Sequence, residues 1–282
     1  MNLVMMTEGT GQGVHGRKTN VGRLYDLLVE NGNQRINLEA GPGTRAFRRL
    51  GGTFFGADAM SIVNHHQNWF LNHAPKQDRT VGVPPIGAVK IFLFGFSRGA
   101  LIMRVFAEWL CQRGFPVEYM GLWDTVDSTA GIKGEDYIEL PTNVTFARHA
   151  VARDEFRRFF NYLPLRHSNN QTFEQSNNVE ELLFPGSHSD VGGLYDDNHA
   201  IADVALDWIL EPAIERGLRI LHSPPTPSTY TSLLIHDSLK EPTNAWGALD
   251  PVKRVLDGIR RHPLCDCTSR PKVNARSESK RT

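Results

Sequence analysis

Apolar runs and amphipathic segments alternate along the chain, which is typical of strands and crossover helices in a mostly parallel sheet. The apolar runs predict strands at residues 3–6, 35–38, 89–94, 117–123, 144–147 and 182–184. Apolar residues at helical spacing predict helices at residues 21–28, 58–73, 100–112 and 201–212. The pattern therefore favours the α/β fold class.

The same pattern indicates one main domain. No linker-like change of composition interrupts it early, so we expect a domain of residues 1–240 and a C-terminal extension of residues 241–282. Proline, serine and threonine dilute the pattern from Ser223 onward, and the residues after Gly258 carry seven Arg or Lys against two acids. We expect this extension to be a loosely ordered basic tail.

Composition narrows the possible partners and compartments. Lys plus Arg and Asp plus Glu both number 31 in 282 residues, so the net charge favours neither nucleic acid nor an anionic membrane as the main partner. Three cysteines, Cys111, Cys265 and Cys267, are too few and too poorly spaced for a disulfide framework. Without a Sec-type leader or an apolar membrane span, the chain is expected to be cytoplasmic or exported without a Sec signal.

A serine between two glycines lies at the junction of a predicted strand and a predicted helix, in Gly95-Phe96-Ser97-Arg98-Gly99. A strand-to-helix elbow exposes a nucleophilic hydroxyl, and its cramped backbone requires small residues nearby. The first turn of the helix aims free N–H groups at the site, so the amide of Arg98 is a candidate oxyanion donor. The alternative is a tight turn with a serine helix cap.

A serine nucleophile needs a histidine base and a group that orients the histidine. Asp124, in the stretch GLWDTVDS, ends a predicted strand, where α/β folds collect functional groups. His188, in FPGSHSDVGG, lies in a predicted glycine-rich loop after a later strand. The chain order Ser97, Asp124, His188 is the order found in α/β-hydrolases.

Other acids and bases remain open. Asp127, Asp154 and Asp190 are alternative acids, and His149 and His236 are alternative bases. Asp154 is most simply an ion-pair partner of a neighbouring arginine, and Asp190 is most simply a carboxylate that fixes the loop around His188. His236 comes late enough in the chain to replace His188.

The loop after the first strand, TEGTGQG, is the expected source of a second oxyanion donor, from the amide of Gly9 or Thr10. A phosphate-binding loop is disfavoured because no Gly-Lys-Ser/Thr follows. His65, His66 and His73 lie on a predicted helix without a carboxylate or cysteine at ligand spacing, which favours a solvated helix surface over a metal site. We expect no cofactor and no metal.

The assembled motifs resemble those of the α/β-hydrolase family that contains the first class of type VI secretion lipase effectors. The similar stretches span residues 3–208 and read TEGT, TNV, FLFGFSRGA, GLWDTVDS, HAVARDEFRRFF and FPGSHSDVGGLY. The resemblance implies an α/β-hydrolase fold, with Ser97 as nucleophile, Asp124 as acid and His188 as base. It departs from the family at Glu8, where aspartate is usual.

Residues and resemblance together predict a serine hydrolase of carboxylic acyl esters, with a lipid or phospholipid as substrate. The resemblance also implies transient contact with a membrane surface, and an immunity or secretion-apparatus partner. The alternatives are a non-catalytic binding module that keeps the hydrolase scaffold, and an acyltransferase.

Overall fold

A computed structural model describes residues 1–14, 19–44, 55–74, 89–126, 139–158, 160–167, 178–224, 233–240, 254, 256 and 259–265. Within this part of the chain, a seven-stranded sheet has the order β2-β1-β3-β4-β6-β8-β9, and all neighbouring strands are parallel. The strands are β1 (Asn2–Thr7), β2 (Gln34–Glu39), β3 (Lys90–Phe96), β4 (Tyr119–Trp123), β6 (Ala147–Ala152), β8 (Val179–Phe184) and β9 (Arg260–Arg261). A separate two-stranded sheet pairs β5 (Glu139–Leu140) with β7 (Arg166–His167).

Helices cover both faces of the large sheet. They are α1 (Asn20–Leu27), α2 (Phe55–His73), α3 (Arg98–Cys111), α4 (His188–Gly192) and α5 (Ala200–Glu215). Side chains alternate along β1, so that Leu3 and Met5 pack in one apolar core with α2 and α3, while Val4 and Met6 pack in a second core with α1 and α5. The predicted α/β class is confirmed.

The structure moves the predicted strand at 144–147 along the chain. Only Ala147 of that range belongs to β6, which continues to Ala152 through polar Arg148 and His149. These side chains interrupt the apolar run, but each pairs with a glutamate of β8, namely Glu180 and Glu181. A buried or half-buried polar residue with such a partner is compatible with a central strand.

Helix α5 does not stop at Pro212 as the pattern predicted but continues to Glu215. Proline has no N–H for the carbonyl four residues earlier, which is that of Trp208. Nη1 of Arg148 donates to this oxygen at 2.6 Å, so the carbonyl still has a hydrogen-bond partner. A side chain on β6 thus compensates for the missing helical hydrogen bond.

The described part of the C-terminal extension contacts the edge of the sheet at β8. Arg260 pairs with Leu182 in the β8–β9 ladder, and the N–H of His262 donates to the carbonyl of Leu183 at 2.8 Å. Cys265 is buried beside the same strand. The division into a domain of residues 1–240 and an extension of 241–282 stays a prediction.

Candidate active site

Because the strands are parallel, β1, β3, β4 and β8 all end at the same edge of the sheet. The loop after β1, the turn from β3 into α3, the residue after β4 and the start of α4 meet there. This is the edge at which α/β sheets bind ligands.

Ser97 links β3 to α3 in a strained conformation, with φ 59° and ψ −126°. Among the described residues other than glycine, only Ser97 and Asp124 have positive φ. Such backbone conformations cost about 1–3 kcal/mol each and tend to occur at functional sites. The elbow predicted from the sequence is therefore present at Ser97, and the second positive φ lies at Asp124, another predicted catalytic position.

The two flanking glycines are required by space, as the sequence predicted. A Cβ at Gly95 would lie 2.6 Å from the Cα of Ala100, and a Cβ at Gly99 would collide with the carbonyl oxygens of Thr7 and Glu8. The contact at Gly99 brings the first turn of α3 directly against the loop after β1. The amide of Arg98 and the glycine loop therefore lie side by side.

That loop is also held against Phe96, the residue before Ser97. A Cβ at Gly9 would lie 2.6 Å from Cδ1 of Phe96, and the carbonyl of Gly9 accepts from the N–H of Gln12 at 3.0 Å. Thr10 follows in the same turn and is half-buried.

Burial lowers the pKa of the Arg98 guanidinium to about 10, which leaves it charged at neutral pH.

Asp124 follows β4 and is fully buried. Its own N–H donates to the carbonyl of Ala150 at 2.7 Å, and its Oδ1 accepts from the N–H of Ala152 at 2.9 Å. The next amide, that of Thr125, donates to Nε2 of His149 at 2.9 Å. Strand β6 therefore fixes both the backbone and the carboxylate of Asp124.

His188 is the first residue of α4, a short helix where the sequence predicted a loop. Ser187 caps this helix, and the side chain of Asp190 accepts from the Ser187 N–H in a capping box. The Nδ1 of His188 lies 2.6 Å from Oδ2 of Asp124. The imidazole stacks on Phe96 with ring centroids 4.5 Å apart, next to Ser97.

The surroundings of His188 favour the neutral imidazole. Burial lowers its pKa below the usual value, against the hydrogen bond and charge of Asp124, and the charge of Arg157 acts in the same direction as burial. Arg157 forms an ion pair with Glu155, and Glu155 accepts from the N–H of His188 at 3.2 Å. A neutral imidazole is the form that can accept a proton.

Asp124 has a second partner besides His188. Arg254, in the C-terminal extension, contacts both of its carboxylate oxygens. Burial alone would raise the pKa of Asp124, but the charge of Arg254 and the hydrogen bond from His188 outweigh burial and hold the pKa below its usual value. Asp124 is therefore a carboxylate throughout the neutral range.

The alternative bases are engaged elsewhere. His236 has its Nδ1 2.6 Å from Asp190 and its Nε2 3.1 Å from Asp197. The Nε2 of His149 accepts from the amide of Thr125, and its Nδ1 lies 2.7 Å from Glu181. Both ring nitrogens of each alternative base are thus already in hydrogen bonds.

The alternative acids have structural partners. Asp154 forms an ion pair with Arg153 and accepts from the N–H of Gly186 at 2.9 Å. Asp190 accepts from Ser187 and His236, which agrees with its expected role of fixing the loop. Asp127 lies outside the described residues.

The histidine-rich helix α2 differs from its predicted solvated surface at one position. His66 is fully buried, and its Nε2 lies 2.8 Å from Oγ1 of Thr7. Burial, with a smaller effect of His65, lowers the pKa of His66 to about 3. Among the described residues, no three His, Cys, Asp or Glu side chains are grouped as metal ligands would be.

Sequence reasoning missed two neighbours of the candidate site, Phe96 and Arg254. Phe96 contacts the glycine loop, the imidazole of His188 and Gly192 of α4, so its ring packs between three parts of the site. The sequence signal that could have identified Phe96 was its position directly before Ser97. No sequence signal identified Arg254, because a lone arginine in a basic segment forms no recognisable motif.

The family model for the catalytic domain of Tle1-like phospholipase effectors of the type VI secretion system matches residues 1–116 and 108–212. The chain belongs to this Tle1-like family. No curated protein matches it. Among the helices of the described residues, none is long and apolar enough to cross a membrane.

Solved structures are similar to this Tle1-like domain at low sequence identity. An uncharacterised protein from Pseudomonas aeruginosa has a TM-score of 0.53 at 18% identity, covering 78% of this chain and 46% of that one. The Tle1 effector bound to the VgrG spike has a TM-score of 0.47 at 16% identity, covering 68% of this chain and 51% of that one. The peroxisomal α/β-hydrolase Lpx1 from Saccharomyces cerevisiae has a TM-score of 0.40 at 12% identity, covering 83% of this chain and 81% of that one.

The chain thus spans about half the length of the first two of these proteins. The all-parallel sheet with helices on both faces, and the strained serine turn between β3 and α3, confirm the predicted α/β-hydrolase fold. The matched family model describes a phospholipase catalytic domain, which is the class of hydrolase that the sequence predicted.

Proposed function

We propose that this Tle1-like domain is a serine hydrolase that cleaves acyl esters of glycerophospholipids, with Ser97, His188 and Asp124 as its triad. One observation carries the proposal. The imidazole of His188 lies 2.6 Å from Asp124 through Nδ1 and stacks on Phe96, the residue that precedes the strained Ser97. This arrangement leaves Nε2 as the nitrogen that serves Ser97.

The reaction follows from these positions. Oγ of Ser97 attacks the ester carbonyl while its proton passes to Nε2 of His188, and Asp124 stabilises the imidazolium. The tetrahedral intermediate collapses when the imidazolium gives this proton to the leaving alkoxide, releasing the lysolipid alcohol and leaving an acyl-serine. Water then attacks the acyl-serine with His188 as base, releasing the fatty acid and restoring Ser97.

We assign the oxyanion to backbone amides at the contact between α3 and the loop after β1. The amide of Arg98 is one donor, since it lies in the first turn of α3, and the amide of Gly9 or Thr10 is the other. Contact of Gly99 with the carbonyls of Thr7 and Glu8 supports this pairing. Removing one such donor typically costs about 10²–10³ in kcat.

Substrate class and delivery rest on the family. The matched model describes phospholipase effectors of the type VI secretion system, and the Tle1 effector binds the VgrG spike of that system. We therefore propose a lipid substrate met through transient contact with a membrane surface, and delivery without a Sec signal by a secretion-apparatus partner. An immunity protein that blocks the site belongs to the same proposal.

The decisive test replaces the nucleophile. Ser97→Ala should lower turnover of phospholipid and short-chain esters by about 10⁴-fold or more, because the covalent step loses its nucleophile. A fluorophosphonate probe should label the wild type and not the variant. Hydrolysis at the wild-type rate in Ser97→Ala would sink the proposal, and an unlabelled wild type would favour a binding module.

A pair of histidine variants tests the choice of base. His188→Gln should lose activity about as severely as Ser97→Ala, because the two residues act as a unit. His236→Gln, which removes a second imidazole paired with an aspartate, should keep activity within about threefold, because Asp190 retains its hydrogen bonds from Ser187 and still fixes the start of α4. The opposite ranking would transfer the role of base to His236.

A further inference from the structure

Arg254 forms a two-point salt bridge with Asp124. Its Nη1 donates to Oδ1 at 2.7 Å and its Nη2 donates to Oδ2 at 3.0 Å. The arginine side chain is 6% exposed and the aspartate is fully buried. A planar guanidinium that matches both carboxylate oxygens fixes the orientation of the carboxylate as well as its charge.

The guanidinium is itself held from its other side. Its Nε and Nη2 donate to the carbonyl of Phe160 at 3.0 Å and 2.6 Å, and its Nη1 also donates to the carbonyl of Ala152 at 3.2 Å. The ring of Phe160 meets the imidazole of His188 edge-on, with centroids 5.0 Å apart. The carboxylate of Asp124 and the carbonyls of Phe160 and Ala152 therefore form a guanidinium-binding socket next to the Asp124–His188 pair.

We infer that Arg254 is a positioning residue for the acid of the triad. It holds the Asp124 carboxylate so that Oδ2 faces Nδ1 of His188, and it keeps this buried group ionised. The inference rests on the proposed triad and adds to it a residue from the C-terminal extension, beyond the stretch that the family model matches.

The charge of Arg254 also affects proton uptake at His188. Within the described part of the chain, the charged groups that face this imidazole are Asp124, Glu155 and Arg157, and Arg254 partly offsets the negative charge of Asp124. Without Arg254, both Asp124 and His188 should hold protons to higher pH. The acid limb of the pH profile of kcat/KM, which reports these groups in the free enzyme, should then move upward.

Two variants separate geometry from charge. Arg254→Ala should lower kcat/KM by about tenfold or more at the pH plateau and move the acid limb upward by about half a pH unit or more, since it loses both the positioning and the charge. Millimolar guanidinium should restore part of its activity by occupying the vacated socket. Arg254→Lys should lose plateau activity but keep the wild-type acid limb, because it retains the charge without the planar fork.

Arg260→Ala is the matched control. Arg260 belongs to the same extension, its side chain is 74% exposed, and its loss should leave both parameters at wild-type values. A wild-type kcat/KM and pH profile in Arg254→Ala would overturn the inference while leaving the triad intact. The inference would also be overturned if both Arg254 variants lost activity, guanidinium did not restore it, and the acid limb stayed at its wild-type pH. Wild-type turnover in Ser97→Ala would instead overturn the proposed function, and the inference with it.

Discussion

Two residues of the candidate site have backbone conformations that ordinary side chains avoid. Ser97 has φ 59° and Asp124 has φ 38°, and both follow parallel strands that end at the same edge of the sheet. Neighbouring groups hold them there, since Ser97 donates its N–H to the carbonyl of Trp123 and Asp124 donates its own to Ala150. The strained backbone lowers the stability of the fold but holds the side chains of Ser97 and Asp124 in position.

This strain predicts a difference between two inactive variants. Ser97→Gly and Ser97→Ala both remove the hydroxyl, but only glycine adopts this φ and ψ without a steric cost. We expect Ser97→Gly to be more stable than Ser97→Ala by about 1 kcal/mol, after allowing for the greater freedom of glycine in the unfolded chain. Urea unfolding measures the difference, and a glycine variant less stable than the alanine variant would contradict it.

At the scale of elements, the site depends on how strands β4, β6 and β8 are joined behind it. The Nε2 of His149 accepts from the amide of Thr125, so the proton of this imidazole is on Nδ1, which donates to Glu181 at 2.7 Å. The same Oε1 of Glu181 accepts from the N–H of Leu165 at 2.8 Å. A buried chain of hydrogen bonds therefore runs from β8 to the residue after Asp124.

Removing Glu181 should break this chain. Glu181→Ala leaves the Nδ1–H of His149 and the N–H of Leu165 buried without an acceptor, so the free energy of unfolding should fall by at least about 2 kcal/mol. Glu180→Ala is the control on the same strand, because Glu180 forms a partly exposed ion pair with Arg148 and its loss should cost within about 1 kcal/mol. Equal losses in denaturant unfolding would show that the chain contributes nothing.

The hydrophobic pattern predicted most strands and helices because an apolar face must be buried whatever its partner is. It misplaced the strand at 144–147 and the end of the helix at Pro212 because both depend on Arg148. This one side chain pairs with Glu180 and also donates a hydrogen bond to the carbonyl oxygen of Trp208. Such a partner comes from a distant part of the chain and leaves no local pattern.

At the scale of the whole molecule, several buried or half-buried histidines couple stability to pH. Burial lowers the pKa of His66, His188 and His262, so each contributes stability that is present above its unfolded pKa and is lost as the pH falls. His236 has the opposite sign. Burial acts to lower its pKa, but the hydrogen bonds to Asp190 and Asp197 outweigh burial and raise it, so its contribution is lost as the pH rises.

His66 has the pKa that can be tested most directly. It falls from 6.5 to about 3 on folding, so the unfolded chain binds a proton that the folded protein does not between these values. Replacing it by His66→Gln should make the loss of unfolding free energy between pH 6 and pH 4 shallower, by on the order of 1 kcal/mol per pH unit. His65→Gln, at a side chain that is 41% exposed, should keep the wild-type slope. Identical slopes in denaturant titrations of wild type and His66→Gln would refute this origin of the pH dependence.

The sequence by itself determined the alternation of strands and helices, the elbow around Ser97 and the order of its candidate partners. Each of these depends on local spacing or on residues whose size a turn restricts, such as Gly95 and Gly99. The tertiary structure decided which imidazole faces which carboxylate, that Phe96 spaces the site, and that Arg254 contacts Asp124. These contacts join residues far apart in the chain, and only the packing of parallel strands, helices and the C-terminal extension brings them within hydrogen-bond distance.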